Sequence, residues 1–506
     1  MRKDGIIYGS IVMILINFII RTIGFVYGII LSKLLGAEAL GHIQIANSTL
    51  MAFLVLTTAG IPTSITKLVA EENSKKNHKE VESIFNSTII FNLLFSIALS
   101  IILIFSAEFI SIKVFKNSDM VIGVYLLVPA LIIISISNII RSYFYGMKNM
   151  ITPSVSQVVE HITRFVIVLG MLYYFKPKSP IHGAIIAIAG ISIGEFFDLL
   201  WSLSSKRRLY KHTRSSSNNN VFSLSSLSKV LTISLPLTIS GFFNIILMFL
   251  NTLIIPARLI SSGYTNSESI AIYGRIMGMT MPLITLPFIV TSALVINMIT
   301  SLSEKMALKK TGEMRRDIGL SIKITLLVSI PLMVLFVSLS KPLAIFLYSD
   351  PLVADYIHIM GYSTVLFALH HTLSGILYGL GKQTIATVNR LVGMVLRVVL
   401  LYVLMGNPNI GVNGFFISFF VSNAMIIFFD IIILKTVIDL HLNYLDIIGK
   451  PLIASLFMVA FIYLSSFDLN NLANSSPVAF AFTFIAAAIA YVFVLILTEA
   501  IPKQKS

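Results

Sequence analysis

Long apolar stretches alternate with short polar ones along almost the whole chain. Runs long enough to cross a bilayer as helices, about 20 apolar residues each, fall at about 10–34, 43–70, 83–106, 121–145, 155–175, 182–204, 229–257, 270–302, 318–340, 354–379, 385–405, 412–434, 450–466 and 478–499. The pattern predicts fourteen transmembrane helices. Strict polar/apolar alternation, the mark of a membrane β-barrel, is absent. The expected fold is therefore all-α and polytopic, because a helix satisfies its own backbone hydrogen bonds inside lipid. Composition agrees: of 506 residues, 56% are hydrophobic and 12% charged, with mean hydropathy +0.92. The basic start Met1-Arg2-Lys3 has no small-residue cleavage site after it, so the first run is expected to stay as a helix.

The net charge of +15 does not point to nucleic acid, because the basic residues gather in alternate loops. With the N-terminus in the cytoplasm, inner segments hold 24 Lys and Arg and outer loops seven. This bias predicts both termini inside the cell membrane. The absence of cysteine excludes disulfides and thiol chemistry. No phosphate-binding loop, serine elbow or metal-binding cluster is present, which argues against an enzyme and against a cofactor.

The chain repeats itself. Tyr145-Gly146 and Tyr378-Gly379 close the fourth and tenth runs, and a midspan arginine follows each by the same distance, Arg164 and Arg397. Gln157, Glu160 and Arg164 share the spacing of Arg390, Gly393 and Arg397, and Phe196-Phe197-Asp198 matches Phe428-Phe429-Asp430. A six-helix repeat keeps its orientation in the membrane. It predicts two lobes, 1–205 and 229–435, related by an axis along the membrane normal and joined by a Ser/Asn-rich cytoplasmic linker, 206–228. Residues 436–506 would add two further helices and a cytoplasmic tail.

Asn17, Arg21, Gly24 and Gly28 are spaced to share one face of the first helix. Arginine at the bilayer centre costs about 2.5–3.5 kcal/mol, so it turns to a bundle interior or a wet cavity. The face reads either as a cavity wall or as a helix-packing seam.

The sequence Leu35-Gly36-Ala37-Glu38-Ala39-Leu40-Gly41, with Gly60-Ile61-Pro62-Thr63-Ser64-Ile65-Thr66-Lys67-Leu68-Val69-Ala70-Glu71, resembles the stage V sporulation protein B family. Its members are polysaccharide-biosynthesis-type flippases of the MATE-like superfamily, related to lipid II flippases. Tyr273-Gly274-Arg275, Gly278-Met279, Pro282-Leu283, Leu286-Pro287 and Ser303-Glu304 extend the likeness. The resemblance implies transport of an undecaprenyl-pyrophosphate-linked peptidoglycan or polysaccharide precursor across the cell membrane, supporting spore cortex synthesis. It also implies that helix 1 and helix 8 arginines, here Arg21 and Arg275, line the substrate cavity.

The expected substrate-binding set is Arg21, Arg275, Arg164, Arg397 and Asn17, since the guanidinium fork suits phosphate oxygens. Arg164 reads equally well as a structural partner of Glu160, one turn away. Glu160, His370, His371, Asp198 and Asp430 are candidates for coupling to Na+ or H+ or for gating. His370 and His371 also fit plain buried hydrogen-bonded roles. Gly60, Pro62, Pro282 and Pro287 are expected hinges or static kinks. Arg141 and Arg390, near inner helix ends, are expected to snorkel. Expected partners are the polyprenyl-pyrophosphate-linked glycan and membrane lipid, with the protein a monomer. Two alternatives stand beside this reading: a cation-coupled multidrug exporter of the MATE type, and a non-transporting scaffold for cell-wall enzymes. Midspan arginines and short loops weigh against both.

Overall fold

The computed structural model describes residues 3–212, 222–438, 445–466 and 477–499. Those residues form helices joined by short turns, with no strand among them. Among the described residues, ten helices are long and apolar enough to cross a membrane, or eleven if one bent pair is a single span. The protein is thus a multi-pass membrane protein.

Three local breaks account for most of the distance between fourteen runs and the ten or eleven spans among the described residues. The first run and the start of the second lie on α1 (Lys3–Thr58), two helical stretches that meet at a kink at Gly36, and the second run continues onto Ile61–Ser74. Gly36 has φ +77° and ψ 178°, a conformation that a side chain disfavours, so the gap between the first two runs is a single-residue break. The eighth run is bent by 57° between Ile284 and Phe288. The tenth is divided at Tyr362 into α14 (Val353–Gly361) and α15 (Ser363–Gly379), each under 18 residues. The last lies on the helix Pro477–Leu497.

Contacts divide the chain into two compact units. The first takes Met1–Leu31, Leu35–Ala257 and Thr265–Gly274, and the second Ser32–Leu34, Arg258–Tyr264 and Arg275–Ser506. In the first unit, α2 (Ile61–Ser74), α3 (His78–Phe105), α5 (Val121–Gly146), α6 (Ile151–Phe175) and α7 (Pro180–His212) follow α1, with the short α4 (Ala107–Lys113) after α3. α8 (Leu224–Ser261) and α9 (Asn266–Gly274) also pack here, up to Ala257 and Gly274. A core of Ile65, Val69, Ile84, Phe85, Ile140, Tyr143, Phe144 and Val230 ties α2, α3, α5 and α8 together. α1 meets α9 backbone to backbone: a Cβ on Gly274 would lie 1.9 Å from the Ala37 carbonyl oxygen, and one on Gly41 would lie 2.2 Å from that of Ile270. This is what Leu35–Gly41 and Tyr273-Gly274 provide, since only glycine lets helix backbones approach so closely.

The second unit opens on six residues of π-helix, Arg275–Thr280, then α10 (Met281–Ile284), α11 (Phe288–Ala307) and α12 (Thr311–Ser338). A short α13 (Ser340–Leu343) precedes α14 and α15. α16 (Gln383–Leu404), α17 (Asn413–Val437), α18 (Lys450–Ser466) and α19 (Pro477–Leu497) follow. Within this unit α15 packs on α11, α12 and α17, and α18 on α12 and α19.

Candidate functional site

Arg21 is exposed on α1 and makes no ion pair or hydrogen bond with any described residue. Nothing lies within 4 Å of the Cβ positions of Gly24 and Gly28. Among the described residues, these small residues leave open space beside the arginine. The side chain of Asn17 lies outside the described residues.

Arg164 sits in a buried charge network between α5, α6 and α7. It donates to Glu160, and its guanidinium is 3.8 Å from Glu195. His161 Nδ1 is 3.6 Å from Glu160. Gly194 makes room for it, since a Cβ there would meet the Arg164 side chain and the Glu160 carbonyl oxygen at 3.1 Å. Arg141 joins from α5, 3.6 Å from Asp198 and donating to Asn138 at 2.9 Å. Arg141 does not snorkel as expected: it is only 8% exposed, because Asp198 on α7 offers a counter-charge in the interior. Asp198 is fully buried, and neither of its carboxylate oxygens accepts a hydrogen bond.

Beside Arg141 a cavity of about 480 Å³ opens between α2, α5 and α6. Its lining includes Thr63, Thr66 and Lys67 from α2, Asn138, Arg141 and Tyr145 from α5, and Gln157 from α6. Sequence reasoning missed this site. The signal was present as polar positions three and four apart on two helices, Thr63, Thr66 and Lys67, and Asn138, Arg141 and Tyr145.

In the second unit, the Nε of Arg275 is 2.8 Å from Asp350, which also accepts the backbone N–H of Leu352. Tyr348 donates to the Met279 carbonyl at 2.7 Å, fastening the π-helix. Arg397 donates to Ser422 at 2.9 Å and lies 4.5 Å from the Phe419 ring centre. Asp430 is buried, accepts from Asn389 at 2.9 Å and lies 3.6 Å from His370 Nδ1, with no hydrogen bond between them. His371 shares a hydrogen bond with Thr291 and stacks on Phe288 at 4.5 Å. Thus Asp198 on α7 and Asp430 on α17 each face a basic side chain, Arg141 on α5 and His370 on α15. Arg164 and Arg397 differ: one meets carboxylates, the other a hydroxyl and a ring.

Of the hinge positions, Gly60 caps α2 and is buried against α8, where a Cβ would lie 2.1 Å from the Ser234 carbonyl oxygen. Pro62 opens α2, Pro282 opens α10 and Pro287 caps α11 at the 57° bend. Among the described residues, no group of three or more His, Cys, Asp or Glu is placed to hold a metal ion.

Residues 6–295 match the family described as polysaccharide biosynthesis protein. The chain belongs to that family. Residues 240–403 also match the MatE family. Among curated proteins, it is 25% identical over 420 residues to Stage V sporulation protein B of Bacillus subtilis (strain 168), covering 82% of this chain and 80% of that one. It is 24% identical over 423 residues to Lipid II flippase MurJ of the same strain, covering 79% and 77%. Among solved structures, an inward closed conformation of lipid II flippase MurJ superposes with TM-score 0.73 at 16% identity, over 97% of this chain and 99% of that one. The family member described here therefore shares that fold.

Proposed function

We propose that this protein is a flippase that carries an undecaprenyl-pyrophosphate-linked peptidoglycan or polysaccharide precursor across the cytoplasmic membrane by alternating access. In this reading the chain has fourteen spans, both termini in the cytoplasm, and two six-helix lobes, 1–205 and 229–435. The observation that carries it is Arg21: a midspan guanidinium, exposed, unpartnered among the described residues, on a face left open by Gly24 and Gly28. Such a group is tolerated at membrane depth when it faces water or an anion. Arg275, Arg164 and Arg397 are further binding candidates, Arg275 with Asp350 as the counter-ion that a phosphate displaces. Asp198 and Asp430 are buried, His370 is part-buried, and all three are incompletely bonded groups suited to gating or to coupling with H+ or Na+. The likeness to the sporulation protein supports a role in spore cortex synthesis. The curated relatives named above carry transport or sporulation names, and no catalytic step is assigned.

The test is translocation in proteoliposomes of a fluorescent undecaprenyl-pyrophosphate-linked disaccharide, read by a membrane-impermeant quencher. The protein is expected to make the outer pool exchange with the inner one. Rates no higher than in protein-free liposomes overturn the reading.

A further inference from the structure

The first unit's cavity is lined by residues to which the reading above gives no role. It is lined by one unit alone and contains neither Arg21 nor Arg275. Its volume of about 480 Å³ falls within the range of small-ligand sites. Two of its lining residues, Arg141 and Lys67, are cationic, and none is acidic. Arg141 is more than nine-tenths buried and donates a hydrogen bond to Asn138. Its nearest carboxylate, Asp198, stands at 3.6 Å without hydrogen-bonding to it. A buried guanidinium with five donors, held by a counter-charge rather than saturated by it, has donors left for a ligand. Lys67 is mostly exposed, and its one ion pair, to Glu71, is long at 3.8 Å. Thr63, Thr66 and Gln157 add hydroxyl and amide groups that bind phosphate oxygens.

We infer that this cavity is a second anion-binding site, for a diphosphate group, with Arg141 as the buried anchor and Lys67 as the mobile clamp at its mouth. The diphosphate is either a lipid headgroup or a free anion, and the two have the same oxygens to offer. The inference rests on the flippase reading only for the lipid source. Arg141 supplies directed donors to one phosphate and Lys67 a point charge to the other. Both cations sit close to loops that the topology places in the cytoplasm, so a lipid-linked diphosphate would meet this site on the loading side.

The test uses the full-length protein in lipid nanodiscs. One arm titrates inorganic diphosphate by calorimetry; the other measures retention of undecaprenyl diphosphate against undecaprenol in the same nanodiscs. Binding is expected in at least one arm and should weaken as salt rises. Binding in the first arm alone assigns the site to the free anion, and preference for the diphosphate lipid assigns it to the headgroup. Lys67→Ala should weaken binding about two- to fivefold. Because Arg141→Gln alone strands the buried Asp198, the double variant Arg141→Gln/Asp198→Asn is used, with an expected loss of about ten- to a hundredfold. Lys178→Ala, an exposed lysine elsewhere in the unit, is the control for diffuse attraction. The inference fails if neither probe binds, if both cavity variants bind as wild type, or if Lys178→Ala weakens binding as much as Lys67→Ala. Failure here with translocation intact leaves the flippase reading standing. Diphosphate binding without any translocation overturns that reading and keeps the site.

Discussion

Arg164 can serve the fold or a substrate, and the two roles separate in a double-mutant cycle. Its side chain is 20% exposed, and those of its two carboxylate neighbours, Glu160 and Glu195, are 5% and 9% exposed. Removing one member of a buried pair costs about 3–5 kcal/mol, because the other charge stays behind without compensation. The accessible fifth of Arg164 puts Arg164→Ala near the lower end, about 3 kcal/mol. Removing Glu160 as well takes away the stranded charge, so Arg164→Ala/Glu160→Gln should recover about 2 kcal/mol of that loss. Trp201, the only tryptophan, lies on α7 beside this network and gives the readout: equilibrium unfolding in mixed micelles followed by its fluorescence. If Arg164→Ala unfolds within about 0.5 kcal/mol of wild type, the network does not hold α6 to α7, and the structural account is refuted. If the double variant is stable yet does not translocate, the Glu160–Arg164 pair also serves transport.

Other expectations are more local. Arg21→Ala should keep normal abundance and slow translocation about tenfold or more, with Arg21→Lys restoring only part, since lysine lacks the bidentate fork; wild-type rates in both variants would remove Arg21 from the site. Arg275→Ala leaves Asp350 without its partner and should lower stability by about 1–3 kcal/mol, and Arg275→Ala/Asp350→Asn should recover most of it; equal stability of all three proteins in a thermal-shift assay would refute the pairing. Gly274→Ala forces a methyl against the Ala37 carbonyl, so purified yield and melting temperature should fall, by about 1–3 kcal/mol or more in stability; an unchanged melt would contradict that close approach. Cysteines introduced singly into this Cys-free chain test the topology: Ser215→Cys should react only with a reagent admitted to the cytoplasm, and labelling from outside would reverse the orientation.

What the sequence revealed was set by local spacing. Hydropathy placed the spans because a helix in lipid needs a run of apolar residues, whatever it packs against. Glu160 and Arg164 were legible as a pair because one turn separates them. The Leu35–Gly41 and Tyr273-Gly274 motifs were legible as signatures, but their contact depends on two helices that lie far apart in the chain. The same limit hid Arg141 with Asp198 and Arg275 with Asp350, whose members are separated by dozens of residues. Arg141 was expected to snorkel because its nearness to a helix end was visible and its counter-charge was not. Gly24 and Gly28 were open to either a seam or a cavity wall, because a bare glycine face looks the same in both.

The π-helical turn at Arg275–Thr280 also bears on insertion and deletion. A π turn accommodates one residue more than the α-helix around it. Excising one residue from this stretch would let it anneal into ordinary helix, turning Arg275 by about 100° and shifting it by about 1.5 Å relative to Met281 and beyond. Asp350 would then face an apolar neighbour of Arg275 instead of its guanidinium. The position of this arginine is therefore encoded by a residue count as much as by residue identity. A chain that keeps every side chain of the Tyr-Gly-Arg motif but is one residue shorter before Met281 would display a different face to whatever passes.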